Sequence, residues 1–121
     1  MVRWKLRLGF CLMLLNVAAR TFAAETNCRE MTVAQWQLQA PKWQGREVVA
    51  CASWCSSCKD KLAAAREKPE AFILISVFDD VSASERVLRK LGIKAECVRG
   101  EALTEYLGVT SLPWHQVIGK P

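Results

Sequence analysis

Two cysteines three positions apart are the residues of this sequence best suited to chemistry. Cys55 and Cys58 enclose two serines, and a C-x-x-C pair can cycle between a dithiol and a disulfide. If a helix begins at this motif, its free N–H groups and dipole favour a negative sulfur, and we expect the Cys55 pKa to fall below the ~8.5 of a free thiol. Because the thiolate is the attacking species, Cys55 is the predicted nucleophile and Cys58 the predicted resolving thiol.

The same spacing is also found in one half of many zinc sites. A complete zinc site needs two further ligands, and the remaining candidates, Cys28, Cys97 and His115, are single and scattered along the chain. We therefore predict neither a bound metal nor a cofactor, since the dithiol is itself the redox centre. A copper- or zinc-binding module and a non-catalytic assembly protein remain as alternatives to a redox enzyme.

The residues on either side of the motif predict a strand followed by a helix. Residues 48–52 form a short apolar run with β-branched members, which is typical of a buried strand. From residue 55 to about residue 68 the apolar side chains recur at helical spacing, and Pro69 ends the helix. The motif is therefore expected where a buried strand passes into a helix.

The rest of the chain alternates between strand and helix patterns. Residues 72–78 give the strongest strand signal, because they are apolar nearly throughout. Ser82 or Ser84 can cap a second helix that closes at Gly92. The other expected elements are an extended lead-in over residues 24–44, an extended piece at 93–98, a helix at 101–107 ending at Gly108 and a strand at 114–118. This alternation predicts an α/β fold with a central sheet flanked by helices.

The first 23 residues have the layout of an export signal. Arg3, Lys5 and Arg7 precede an almost wholly apolar run over residues 8–19, and small residues at 21 and 23 fit a cleavage site after Ala23. The run is shorter than the ~20 residues that span a bilayer as a helix. We expect a signal peptide or an N-terminal membrane anchor over residues 1–23, with a tether through residues 3–19 if it stays uncleaved. Either outcome predicts a location outside the cytoplasm: the protein is expected to be periplasmic or secreted, and anchored to the inner membrane if the segment stays uncleaved.

The charge of the chain argues against nucleic acid as a partner. The formal net charge is +5, but four of the 17 basic residues lie in the first 23 positions, which contain no acid. The remaining 13 basic residues nearly balance the 12 acidic ones, and they form no basic run that could bind phosphates.

Five cysteines follow the first 23 residues, so at least one is free or bonds another molecule. Cys51, on the predicted strand, is expected to be a small core residue. Cys28 and Cys97 could each be a free thiol or bond one another, and the sequence leaves this open. His115 is interpreted as an ordinary strand residue, with a role as a base for Cys55 as the alternative.

Two segments carry a resemblance to a known family. Residues 48–58 resemble the strand-to-active-site stretch of thioredoxins, and the Ala52-Ser53-Trp54-Cys55 run is most similar to exported TlpA/ResA-type thiol–disulfide oxidoreductases. Residues 108–113 resemble the G-V-x-x-x-P segment of that family. The likeness extends from about residue 44 to residue 118.

The resemblance implies a thioredoxin fold over residues 24–121 and a catalytic pair formed by Cys55 and Cys58. It also implies substrate contacts from Trp54 and Leu112 and a cis Pro113 facing the motif, where the bond exposes the preceding backbone to a peptide. The implied activity is reductive. Electrons would come from a membrane thiol donor and pass to cysteines of exported proteins, apocytochrome c among them.

The sequence departs from the family pattern in three places. The motif contains Ser56 and Ser57 where proline or glycine is frequent. Val49 stands where thioredoxin carries a buried aspartate, so Asp79 or a water is expected to take over that role. The sequence stops at Pro121, and we therefore expect the family's C-terminal strand and final helix to be missing, which leaves a sheet edge uncovered.

Overall fold

A five-stranded mixed sheet forms the centre of the structure, which is a computed structural model and describes residues 27–119. Its strands are β1 (Cys28–Glu30), β2 (Glu47–Cys51), β3 (Phe72–Ser76), β4 (Glu96–Arg99) and β5 (Trp114–Val117). Their order across the sheet is β1-β4-β3-β2-β5. The first four run parallel and β5 runs antiparallel to β2. The predicted α/β class, with a central sheet and flanking helices, is confirmed.

Helices cover both faces of this sheet. They are α1 (Val33–Gln39), α2 (Lys59–Glu67), α3 (Val81–Lys90) and α4 (Glu101–Leu107), with short 3-10 turns at Ala40–Trp43, Ser56–Cys58 and Pro69–Ala71. The connections β2–α2–β3 and β3–α3–β4 cross the sheet in the same direction, and right-handed crossovers therefore put α2 and α3 on one face. The helices α1 and α4 contact each other on the opposite face.

The central strands are apolar on both sides because each side faces a core. Val49 of β2 and Leu74 of β3 belong to the core beneath α2 and α3. Val48 and Ile73, their sequence neighbours, belong to the core beneath α1 and α4. Side chains alternate across a strand, so a strand with two covered faces reads as a continuous apolar run.

The expectation of an extended lead-in over residues 24–44 is wrong for the part that the structure describes. This segment contains β1, α1 and a 3-10 turn. The helix begins with a capping box, in which Thr32 and Gln35 each bond the other's backbone N–H. Trp36 and Trp43 are buried with their rings edge to face at 5.8 Å, and they attach the segment to the core.

The predicted cap of the second helix is also wrong. Asp80 occupies the N-cap position of α3, and Ser84 is buried within the first turns of the helix. The strand before it ends at Ser76, two residues short of its predicted end, and Phe78 has a left-handed backbone with φ of 54°. The predicted end of α4 at Gly108 is confirmed, since this glycine is a left-handed C-cap with φ of 77°.

The signal peptide or anchor predicted for residues 1–23 lies outside the described residues. Within residues 27–119, no helix has the length and apolar character needed to cross a membrane. At the far edge of the described sheet, β5 has β2 as its one strand neighbour.

Candidate redox site

The C-x-x-C motif lies where β2 passes into a helix, as the sequence predicts. Cys55 is the N-cap of the 3-10 turn Ser56–Cys58, which continues directly into α2. The backbone N–H of Cys55 donates to the carbonyl of Ala52 at 3.1 Å, and that of Cys58 donates to the carbonyl of Cys55 at 3.3 Å. This turn brings the two Cα atoms to 5.5 Å, and the cysteines form a disulfide.

The two sulfur-bearing residues differ in their access to solvent. Cys58 is completely buried, whereas Cys55 retains 8% of its surface and lines a groove between α2 and α3. The Ser57 hydroxyl lies 3.5 Å from the Cys55 sulfur, within hydrogen-bond distance for sulfur. A partner molecule therefore meets Cys55 first, with Cys58 behind it.

A carboxylate fixes the loop that precedes the motif. Asp79 accepts hydrogen bonds from the backbone N–H of Ser53 at 2.6 Å and from the hydroxyl of Ser84 at 2.9 Å. It also accepts one from the backbone N–H of Asp80 at 3.0 Å. Desolvation opposes ionisation of this carboxyl, but these hydrogen bonds outweigh it and hold the Asp79 pKa below its usual value.

Among the hydrogen bonds of residues 27–119, none joins Asp79, the suggested substitute for the buried aspartate, to Cys58. The hydrogen bonds of Asp79 go to Ser53, Ser84 and Asp80, whereas the Cys58 sulfur faces the carbonyl of Ala50 at 3.9 Å. Val49, which stands where thioredoxins carry the buried aspartate, is buried and has no polar atom in its side chain. Asp79 thus acts on the shape of the loop before Cys55.

Trp54 is 61% exposed beside the motif, as expected for a surface contact residue. Its indole N–H donates to the carbonyl of Phe78 at 3.1 Å, which fixes the ring at one end. Phe78 is itself exposed. Phe78 is not predicted from the sequence as a residue of this site, since a phenylalanine at the end of an apolar run is ordinarily a core residue.

The Leu112–Pro113 peptide bond is cis, as predicted from the resemblance. Leu112 is half-buried and packs against both cores, one of which contains Cys55 and Cys58. Trp114, the first residue of β5, pairs with Ala50 near the carboxyl end of β2. The antiparallel pairing therefore brings Pro113 to the sheet end from which the C-x-x-C motif leaves.

His115 pairs with an acidic residue of β2. Its Nδ1 lies 3.2 Å from Oε2 of Glu47, and the ammonium of Lys61 lies 2.6 Å from the same oxygen. Glu47 is the first residue of β2, at the opposite end of this strand from the motif. This contact favours the structural interpretation of His115 over a base for Cys55.

The remaining cysteines have structural positions. Cys28 and Cys97 are paired neighbours on β1 and β4, with Cα atoms 4.4 Å apart, and they form a second disulfide. This pairing is one of the alternatives left open by the sequence. Cys51 is buried in the core, as predicted, and is a free thiol. Desolvation, followed by the negative charge of Asp79, raises its pKa to about 12.

Within residues 27–119, no three His, Cys, Asp or Glu side chains converge in a way that could hold a metal ion. The sequence matches no protein-family model, and no curated protein is recognisably similar to it.

Proposed function

We propose that this protein is a thiol–disulfide oxidoreductase with a thioredoxin-like fold. The observation that carries the proposal is the state of the motif: Cys55 and Cys58 are joined as a disulfide at the start of a helix, and Cys55 lines a surface groove. A helix start favours a thiolate, and a cysteine one turn further along can displace a partner bound to the first sulfur.

The reaction follows from the positions of the two sulfurs. The reduced Cys55 thiolate attacks a substrate disulfide, forms a mixed disulfide and releases one substrate thiolate. The Cys58 thiolate then attacks the Cys55 sulfur, which restores the intramolecular disulfide and releases the second substrate thiolate. Two electrons pass from the protein to the substrate, and an external dithiol must reduce the protein before the next cycle.

Two features of the fold support the thioredoxin-like assignment. The motif joins parallel strand β2 to helix α2, and β3 follows as the neighbouring parallel strand. A strand antiparallel to β2 follows the cis proline, which puts Pro113 and Cys55 at one end of the sheet. Trp54 and Leu112 border this end and are the proposed substrate contacts, with Pro113 between Leu112 and β5.

The proposed substrates are cysteines of exported proteins, and the proposed direction is reductive, with a membrane thiol compound as the electron donor. The basic and apolar N-terminal sequence supports export to the periplasm or beyond, with or without a membrane tether. The buried Cys28–Cys97 disulfide also fits an oxidising compartment, where structural disulfides persist. The near balance of charge beyond residue 23 supports a partner other than nucleic acid.

A test of the proposal is the redox equilibrium of the motif against glutathione, with free thiols trapped by alkylation and assigned by peptide mass. We expect a reversible two-electron transition of Cys55 and Cys58 that is absent in Cys55→Ser. A potential near the ~−270 mV of thioredoxin supports a reductant, and one near the ~−120 mV of the periplasmic oxidant supports an oxidase.

The matched control is the Cys28→Ser/Cys97→Ser variant, which removes the second disulfide from the measurement. An intact fold with no transition at Cys55 and Cys58 would contradict the enzyme proposal and favour an assembly protein. Stoichiometric copper or zinc that blocks alkylation of both thiols would favour a metal-binding module instead.

A further inference from the structure

A groove beside Cys55 has a composition that suits one class of substrate. It lies between α2 and α3 and has a volume of about 550 Å³, within the range of ligand-binding clefts. Its apolar wall includes Trp54, Val87 and Leu91. Three cationic side chains, Lys59, Arg66 and Lys90, also line it, and none of its lining residues is acidic.

The charges of the groove are poorly compensated by the protein itself. Within residues 27–119, Lys59 and Lys90 have no ion-pair partner. Arg66 lies 3.9 Å from Glu67, and both side chains are more than half exposed, so this contact neutralises little of its charge. The groove therefore presents a positive potential next to the Cys55 sulfur.

Exposed apolar side chains lie at the same place. Five large hydrophobic side chains are exposed among residues 27–119, and two of them, Trp54 and Leu91, line the groove. A third, Phe78, lies next to Trp54, whose indole N–H donates to the Phe78 carbonyl. Apolar surface clustered around a reactive group marks a contact site more than scattered exposure does. The groove can thus bind an apolar side chain and an anionic group together.

We propose that this groove selects disulfide-bearing polypeptide segments in which an apolar residue and a carboxylate lie next to the cysteine. The proposal rests on the oxidoreductase function proposed above and names its substrate class. The apolar side chain packs on Trp54 and Leu91, while the carboxylate faces Lys59, Arg66 and Lys90. Selection acts in the first step, because the Cys55 thiolate attacks the substrate sulfur while the segment is in the groove.

The experiment uses three peptides of equal length whose single cysteine is activated as a neutral 2-thiopyridyl disulfide. A leucine and one variable residue, Glu, Gln or Lys, flank the cysteine. The full chain is reduced beforehand with dithiothreitol, which is then removed. Attack of the Cys55 thiolate on the peptide sulfur releases pyridine-2-thione, and Cys58 then releases the peptide thiol, so thione absorbance reports the first step.

For the wild-type chain we expect the Glu peptide to react about tenfold faster than the Lys peptide at low salt, with the ratio falling as salt is added. Lys90→Glu reverses one groove charge at a distance from the motif and should lower this ratio at least about threefold. Lys94→Glu is the matched control, because Lys94 is exposed, lies outside the groove and undergoes the same change of charge. That variant should keep the wild-type ratio.

The outcomes separate this proposal from the one on which it rests. Thione release that depends on Cys55 but shows equal rates for the Glu and Lys peptides would overturn the groove proposal alone. The same conclusion would follow if Lys90→Glu and Lys94→Glu changed the ratio equally. Thione release that is as fast in Cys55→Ser as in the wild type would overturn the oxidoreductase function, and the groove proposal with it.

Discussion

The Asp79 carboxylate accepts a hydrogen bond of 2.6 Å from the backbone N–H of Ser53, a residue 26 positions earlier in the chain. Ser53 follows the end of β2, and Asp79 follows the end of β3, so the two parallel strands deliver them to the same edge of the sheet. This contact fixes the backbone two residues before Cys55. A carboxylate outside the motif thereby helps to fix the backbone conformation from which the motif and its helix begin.

We expect Asp79→Asn to lower the free energy of unfolding by about 1–2 kcal/mol at pH 7. The negative charge that strengthens the hydrogen bonds to Asp79 is removed, and one of the two acceptor oxygens becomes an NH2 donor. The Asp79 pKa is lowered in the folded protein. The ionised Asp79 carboxylate therefore stabilises the fold fully at pH values above the pKa of this carboxyl in the unfolded chain. This stabilisation is lost as the pH falls through the lower pKa of Asp79 in the folded protein. Urea unfolding at pH 7 and pH 2 measures the difference.

Asp80→Asn is the control for this experiment, since Asp80 is exposed and its side chain bonds only the hydroxyl of Ser82 among the described residues. Asp80→Asn should lower the free energy of unfolding at pH 7 by less than Asp79→Asn does. An equal destabilisation by Asp79→Asn at pH 2 and pH 7 would contradict a contribution from the ionised carboxylate.

Cys51 should be unreactive in the folded protein. Its pKa is about 12, so at pH 9 only about a thousandth of the folded protein carries its thiolate, against about three quarters of the unfolded protein, where the pKa is ~8.5. In the oxidised protein, where both disulfides are intact, iodoacetamide at pH 9 should label Cys51 at least about a hundredfold faster after urea is added. Mass spectrometry with Cys51→Ala as the unlabelled control checks this, and similar rates in both states would show an accessible thiolate.

The Cys28–Cys97 disulfide should stabilise the fold without setting the redox potential of the motif. It closes a chain separation of 69 residues, for which the loss of unfolded-state entropy is about 4 kcal/mol. We expect Cys28→Ser/Cys97→Ser to lower the free energy of unfolding by about 2–4 kcal/mol in urea. A change below about 1 kcal/mol, or a clear shift in the Cys55–Cys58 potential, would contradict a purely structural role.

The central strands and the position of the motif can be predicted from sequence because local patterns specify them. β2 and β3 are covered on both faces and read as continuous apolar runs. In contrast, β1 has three residues, and α1 has one buried side chain, Trp36. Elements this short contain too few residues to show a clear periodic pattern in the sequence. They are formed because of tertiary contacts such as the packing of Trp36 on Trp43.

The surroundings of the site are less predictable, because strand pairing assembles them from distant segments. The register that pairs Cys51 with Ser76 brings Asp79 to Ser53 and the carbonyl of Phe78 to Trp54. Similarly, the antiparallel register that pairs Glu47 with Val117 brings His115 beside Glu47 on the same face. Neither register can be read from the spacing of residues along the chain.

Within the motif itself, the two serines differ in their relation to the reactive sulfur. The Ser57 hydroxyl lies 3.5 Å from the Cys55 sulfur, whereas Ser56 lines the groove without a hydrogen bond to that sulfur. In the reduced protein the Ser57 hydroxyl can donate to the Cys55 thiolate. Stabilising the thiolate stabilises the reduced form, and a more stable reduced form raises the reduction potential.

We therefore expect Ser57→Ala to make the potential of the Cys55–Cys58 pair more negative by about 10–20 mV, which corresponds to about 0.5–1 kcal/mol for a two-electron couple. The shift is modest because Ser57 is exposed and water can replace part of its contribution. Equilibration with glutathione measures the potential, and Ser56→Ala should leave it unchanged. A shift in the positive direction, or equal shifts in the two variants, would show that the Ser57 hydroxyl does not stabilise the thiolate.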